Sequence, residues 1–183
     1  TLSSFFALPG GTAAIDLDDA GQLLLLARWS MSQNGLYTAP LVGSTTLNLV
    51  VPWPQGAAEP VAMTEKLDSG DWWVLDEGGA VHLLKRSGGA VLSVVQTPGL
   101  STLGSGGLQE NPITGELLIS AGNNLLRYNP GTKVLNTVMA LGYPQGGAEA
   151  MGLAFDPVTR GYLFTNWMGF GPGMYGFVHE LDA

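Results

Sequence analysis

Two stretches of the chain repeat almost residue for residue, and each ends in a carboxylate. Pro54-Gln55-Gly56-Ala57-Ala58-Glu59 recurs as Pro144-Gln145-Gly146-Gly147-Ala148-Glu149, behind an aromatic residue in both cases, Trp53 or Tyr143. A fold that sets these loops across an axis would oppose Glu59 and Glu149, with Gln55 and Gln145 beside them. Opposed carboxylates hold a cation, or share one proton so that one pKa rises. The plainer reading is that each glutamate accepts hydrogen bonds from its own loop backbone. No cofactor is expected, Ca2+ at this pair being the one candidate. No residues have the spacing of a metal site, so no metal ligand is assigned.

Aromatic and methionine side chains gather in two other stretches, Trp29-Ser30-Met31-Ser32-Gln33-Asn34-Gly35 and Asn166-Trp167-Met168-Gly169-Phe170-Gly171-Pro172-Gly173-Met174. Read as loops, they add Trp29, Met31, Trp167 and Phe170 to the surface that holds Trp53 and Tyr143. Such a surface suits a protein partner or a second copy of the chain. With Asn34 and Asn166 as hydrogen-bonding groups, it also suits a stacked glycan. The competing reading is that these loops fold inward and plug a channel.

The other polar residues read as structural. Asp18, Asp68, Asn111 and Asp156 precede turns, where their side chains accept backbone N–H bonds. Lys66 near Asp16 reads as an ion pair. His82 and His179 fall in expected strands, out of step with each other, as sheet-face residues. Trp72 and Trp73 are adjacent in a strand and so point to opposite faces. No G-x-S-x-G elbow, H-E-x-x-H pair or P-loop is present. Gly104-Ser105-Gly106-Gly107 has no lysine and no helix after it, which argues against phosphate binding.

Composition narrows the classes further. Seven basic against 15 acidic residues leave a formal net charge of −8, and only 12% of the 183 residues are charged, against about 25% in a typical domain. That balance argues against nucleic acid and anionic lipid as partners. No apolar run approaches the ~20 residues that span a bilayer. The absence of Cys removes disulfides, thiolate metal sites and Cys nucleophiles. A 45% hydrophobic content is too high for intrinsic disorder.

The elements that would position these residues follow from an internal repeat. Ile15–Ala27, Glu65–Asp76, Leu108–Ser120 and Leu153–Thr165 share one grammar: a short strand ending in Asp or Asn, a turn with glycine, then an apolar strand. The turn glycines Gly21, Gly70, Gly115 and Gly161 are spaced by 49, 45 and 46 residues, the length of a four-stranded propeller blade. Third strands are expected near 36–39, 80–85, 124–128 and 175–181, and fourth strands near 46–51, 90–96 and 134–141. Leu23-Leu24-Leu25-Leu26 reads as a buried strand from its place in the repeat. The expected architecture is all-β: a single four-bladed β-propeller over 1–183, with blades at 12–52, 58–97, 106–142 and 149–183. The last repeat lacks a fourth strand, and residues 1–9 match the pattern of 133–141. Residues 1–11 are therefore expected to close the ring by pairing with the C-terminal blade, leaving no open edge. The alternative is an open slice of a larger propeller.

Phe155-Asp156-Pro157-Val158-Thr159-Arg160-Gly161-Tyr162-Leu163 and Leu125-Leu126-Arg127-Tyr128-Asn129-Pro130-Gly131-Thr132 resemble repeat phrases of bacterial secreted propellers of the NHL/YVTN-like superfamily. The resemblance implies a fold and leaves activity open, since propellers host binding, scaffold and catalytic roles. A start at Thr1 without Met is what removal of a signal peptide, or excision from a longer chain, would leave. Abundant Gly, Ser, Thr and Asn with little Lys lean the same way, so an extracellular or periplasmic location is expected. The favoured function is a secreted, non-catalytic binding or assembly module. It would use the aromatic loop face (Trp29, Met31, Asn34, Trp53, Tyr143, Asn166, Trp167, Phe170) toward a protein partner, itself or a glycan. The alternative is a lactonase- or lyase-like enzyme at the axial mouth, using Glu59 and Glu149.

Overall fold

A computed structural model describes residues 12–17, 22–27, 35–40, 47–85, 91–96, 106–121, 124–140, 148–168 and 175–181. Every regular element among them is a strand, and all pairings are antiparallel. The first sheet is β1 (Thr12–Leu17), β2 (Leu23–Ala27), β3 (Gly35–Ala39) and β4 (Asn48–Pro52), in that order. The second is β5 (Pro60–Lys66), β6 (Asp71–Asp76), β7 (Ala80–Leu84) and β8 (Val91–Gln96). The third is β9 (Gly107–Glu110), β10 (Leu117–Ala121), β11 (Asn124–Asn129) and β12 (Val134–Ala140). The fourth has three strands: β13 (Ala148–Phe155), β14 (Tyr162–Met168) and β15 (Tyr175–Leu181). The leucine run is a strand, as its place in the repeat demands.

The first strands of the sheets are neighbours in the order β1, β5, β9, β13, and β2, β6 and β10 each lean on the first strand of the next sheet. Apolar residues between successive sheets form the core. Leu36, Val51, Met63, Trp72, Val74 and Leu84 join the first and second sheets. Trp73, Leu75, Leu108, Leu117, Ile119 and Tyr128 join the second and third. Leu118, Leu125 and Tyr162 join the third and fourth. Trp72 and Trp73 therefore anchor different interfaces, because adjacent strand residues point to opposite faces. Burying a side chain of this size contributes on the order of 3 kcal/mol. The sheets approach so closely at Gly107 that a Cβ there would lie 3.0 Å from Leu153 Cγ and 2.9 Å from Ser120 Oγ.

The described strands are not joined into a closed ring. The closing strand expected from residues 1–11 lies outside the described residues, as does the turn containing Asp18 and Gly21.

Turn geometry corrects the alignment of the repeats. Gly70 N–H donates to Lys66 O, Gly115 N–H to Asn111 O and, in the β11–β12 turn, Lys133 N–H to Asn129 O, each at 2.8 Å in one five-residue pattern. The fourth residue set follows the same register, with Asp156 N–H donating to Gly161 O at 2.9 Å as Asn111 N–H donates to Glu116 O at 2.8 Å. Gly70, Gly115 and Arg160 thus fall 45 residues apart (70, 115, 160), with φ of 67°, 69° and 60°. The fourth turn glycine expected at Gly161 is one position late: Arg160 occupies the left-handed site. A non-glycine residue there costs about 1–2 kcal/mol.

Candidate functional site

The loop before β5 is organised around Trp53. Its indole Nε1–H donates to Ala58 O at 2.8 Å, and its ring meets His82 edge-on with centroids 4.9 Å apart. Ala57 N–H donates to Pro54 O at 3.3 Å, with Gly56 at φ 85° in the turn. Glu77 N–H donates to Glu59 O at 2.8 Å, which ties this loop to the β6–β7 turn on the same face. Gln55 projects to solvent and Glu59 is half-buried.

Beneath Trp53 lies a buried pair that sequence reading missed. His82 Nε2 is 2.8 Å from Asp76 Oδ2, and Asp76 Oδ1 accepts from Ala80 N–H at 2.8 Å. Both residues are only 3% exposed. His82 Nδ1 is buried without a hydrogen-bond partner. The pair closes the tight β6–β7 turn and supports the indole, so it acts on the loop face from below.

Strand register shows that this arrangement has a counterpart. Pro60 pairs with Asp76 as Ala150 pairs with Asn166, and Val74 pairs with His82 as Phe164 pairs with His179. On the first two strands each fourth-sheet position lies 90 residues beyond its second-sheet equivalent (150 against 60, 164 against 74), and on the third strand 97 (179 against 82). His82 and His179 are therefore in step, contrary to the sequence reading, because alignment by loop length hid the register. By the same offset Asn166 stands where Asp76 does, and Glu149 where Glu59 does. β5 and β13 also carry a bulge at the same place, between Pro60 and Ala62 and between Ala150 and Gly152.

Several expected site residues need relocation. Asn166 and Trp167 belong to β14, which runs to Met168, and Glu149 belongs to β13. All three were expected in loops. The strands run on because Glu149 pairs with Trp167 and Ala150 with Asn166, extending the ladder past the bulge. β5 and β13 flank β9 on its two sides, so Glu59 and Glu149 are two sheets apart. Trp29, Met31, Asn34, Tyr143, Gln145 and Phe170 lie outside the described residues. Among the described residues, no cluster of three His, Cys, Asp or Glu side chains could hold a metal.

Polar residues at the other end of the strands work within the framework. Trp73 Nε1–H donates to Glu110 Oε2 at 2.7 Å across the second and third sheets. Burial pushes the Glu110 carboxyl above its ordinary range, and the Trp73 hydrogen bond offsets part of that. The expected Asx turns are present at Asn111 and Asp156. Asn111 Oδ1 accepts from Ile113 N–H at 2.8 Å, and Asp156 Oδ1 from Val158 N–H at 2.8 Å. The Val158 N–H and the Thr159 hydroxyl hold the Asp156 carboxyl below its ordinary range. Asp68 departs from this series. Lys66 takes the position equivalent to Asn111, and Asp68 forms an ion pair with Lys66. That pair keeps the Asp68 carboxyl low, and it supplies the Lys66 partner that was expected at Asp16.

No family model matches the sequence, and no curated protein matches it. Solved structures do. A chain of a nidogen–laminin complex aligns with TM-score 0.63 and 14% identity over 84% of this chain and 58% of its own length. An auxiliary nutrient binding protein from Bacteroides thetaiotaomicron aligns with TM-score 0.63 and 13% identity, over 95% of this chain and 43% of its own. A candidate gluconolactonase aligns with TM-score 0.55 and 15% identity, over 92% and 59%. The fold is a β-propeller. At these identities the likeness extends to the fold alone, and the chain spans about half the length of the propellers it matches. No helix among the described residues is long and apolar enough to cross a membrane.

Proposed function

We propose that this propeller is an extracellular or periplasmic, non-catalytic binding or assembly module. It uses the face formed by the inter-sheet loops and the β2–β3 and β6–β7 type connections. The observation that carries the reading is the pinned loop at 53–59, held by Trp53 on His82 and by two backbone ties. Such a loop offers Gln55 to a partner at little ordering cost, which favours binding. The His82 and Asp76 side chains beneath this face are buried against each other, in a structural role. Nutrient binding and complex formation among the structural neighbours agree with this choice. Trp29, Met31, Asn34, Tyr143, Trp167 and Phe170 complete the contact surface, toward a protein, a second copy of the chain or a glycan.

The ring in this proposal has four blades, with residues 1–11 paired to β15. The match between residues 1–9 and 133–141 supports that pairing. Deleting residues 1–11 should then speed hydrogen exchange along β15 and leave β5–β7 protected. Unchanged exchange in β15 would leave the ring without its closing strand.

Light scattering with and without Ca2+, together with a glycan array, tests the binding role. Self-association or glycan capture should weaken in Trp29→Ala and Phe170→Ala variants. A monomer that retains no glycan, or binding indifferent to both changes, would remove this reading. The likeness to a candidate gluconolactonase keeps a second reading: acid/base or Ca2+ chemistry at Glu59 and Glu149. Lactone hydrolysis that disappears in Glu59→Gln would put it first.

A further inference from the structure

The opposite face, formed by the β9–β10, β11–β12 and β13–β14 turns, carries a feature that the loop-face reading does not use. A groove of about 500 Å³ lies between the third and fourth sheets, lined by Asn111, Ile113, Arg127, Thr159 and Arg160, with Glu116 on one wall. Two of the seven basic residues of a chain with net charge −8 share this groove. Glu116 does not neutralise them both. Its Oε1 accepts from Asn129 Nδ2–H at 3.2 Å, and its Oε2 stands 3.8 Å from Arg127 Nε. Among the described residues neither Arg127 nor Arg160 donates a hydrogen bond. Ile113 is 60% exposed and supplies an apolar wall.

Arg160 is the informative residue. The same turn position is glycine in the second and third sheets, with φ of 67° at Gly70 and 69° at Gly115. The fourth sheet holds an arginine there at φ 60°, a conformation that a side chain disfavours and glycine does not. Lys133 holds the other left-handed non-glycine site, at φ 59°, but Arg160 is the one that lines the groove, and a residue kept in a disfavoured conformation there points to a use for the side chain. Guanidinium groups match carboxylates through paired N–H donors.

We propose that the groove between the third and fourth sheets binds a carboxylate, with Arg127 and Arg160 as its donors and Ile113 against the ligand's carbon skeleton. The groove is of a size that takes a small organic acid or an acidic side chain of a peptide. The probe is succinate, titrated into the intact chain by calorimetry, with succinamide as the neutral isostere and inorganic phosphate as the competing anion. Succinate should bind, succinamide should not, and Arg160→Gly and Arg127→Gln should each weaken succinate by about tenfold or more. Arg160→Gly should bind worse while melting no lower than the parent, which separates loss of a donor from loss of fold. A peptide with adjacent aspartates that outcompetes succinate identifies a protein-borne carboxylate; one that does not identifies a small acid. No succinate binding, affinity unchanged from the parent in both variants, or preference for phosphate would overturn the assignment.

Discussion

The second and fourth sheets are built on one plan, 90 residues apart, and they differ where charge and backbone freedom matter. The second places Asp76 against His82; the fourth has Asn166 and His179 at the same register positions. The second turns at Gly70 and the fourth at Arg160. The other two sheets lack the polar pair: register sets Ala27 opposite Gly35 next to Leu25–Tyr37 in the first, and Ala121 next to Ile119–Leu126 in the third. The second blade therefore carries a polar pin beneath the loop face, and the fourth has polar residues at the same register positions. The lesson is that the scaffold tolerates either chemistry, and that the residues departing from the repeat mark what each blade adds to it.

The largest effect is expected from breaking the pin. His82→Ala removes the imidazole from the buried Asp76 carboxylate, and should cost about 3 kcal/mol. His179→Ala, at the register position of His82 in a sheet that has Asn166 at the position of Asp76, should cost less, about 1 kcal/mol. Urea unfolding of the two variants measures the contrast, and equal losses would break the distinction between the blades. Next in size is Trp73→Phe, which keeps the ring and removes the hydrogen bond to Glu110. Leaving that carboxylate buried without the indole donor should cost about 1–3 kcal/mol, read as a lower denaturant midpoint.

Glu110 also carries a pH signature. Its folded pKa is raised by burial, so the folded state holds the proton more tightly than the unfolded chain. Stability from this group is highest below its unfolded pKa and falls as pH rises through the folded pKa. Glu110→Gln should remove that downward slope just above the ordinary glutamate range, while Gln Oε1 still accepts from Trp73. Melting curves collected from pH 4 to pH 7 should cross for the parent and the variant; parallel curves would place the slope elsewhere.

The architecture was legible in the sequence because period-2 apolar strands and Asx–Pro turns are local signals. Asn111 and Asp156 show this: a two- or three-residue reach from side chain to backbone fixes each turn. What the sequence concealed depends on pairing across strands. His82 meets Asp76 only because a three-residue turn folds β7 back on β6, and loops of unequal length hide that His179 shares its register. Asn166 and Trp167 read as loop residues because a glycine-rich run follows them, and Glu149 because one precedes it, yet the β13–β14 ladder continues past its bulge through all three. The groove at Arg127 and Arg160 was visible in principle. Asn111-Pro-Ile-Thr-Gly115, Asn129-Pro-Gly-Thr-Lys133 and Asp156-Pro-Val-Thr-Arg160 set one motif three times, and only the first ends in the residue its backbone prefers.

The smallest effect tests that last point. Arg160→Gly places in the fourth sheet the residue that the second and third already use, and relieves a left-handed arginine. Glycine also gains freedom in the unfolded chain, which opposes the relief. The net expectation is a gain of about 0.5–1 kcal/mol, seen as a higher melting temperature. The reciprocal Gly115→Ala change imposes the same conformation on a side chain with no steric obstacle nearby, since no atom lies within 4 Å of its added Cβ. Its loss of about 1 kcal/mol would therefore report backbone strain alone. A gain at 160 matched by a loss at 115 makes the turn backbone the common cause, whereas a loss at both would mean that the Arg160 side chain stabilises the fold.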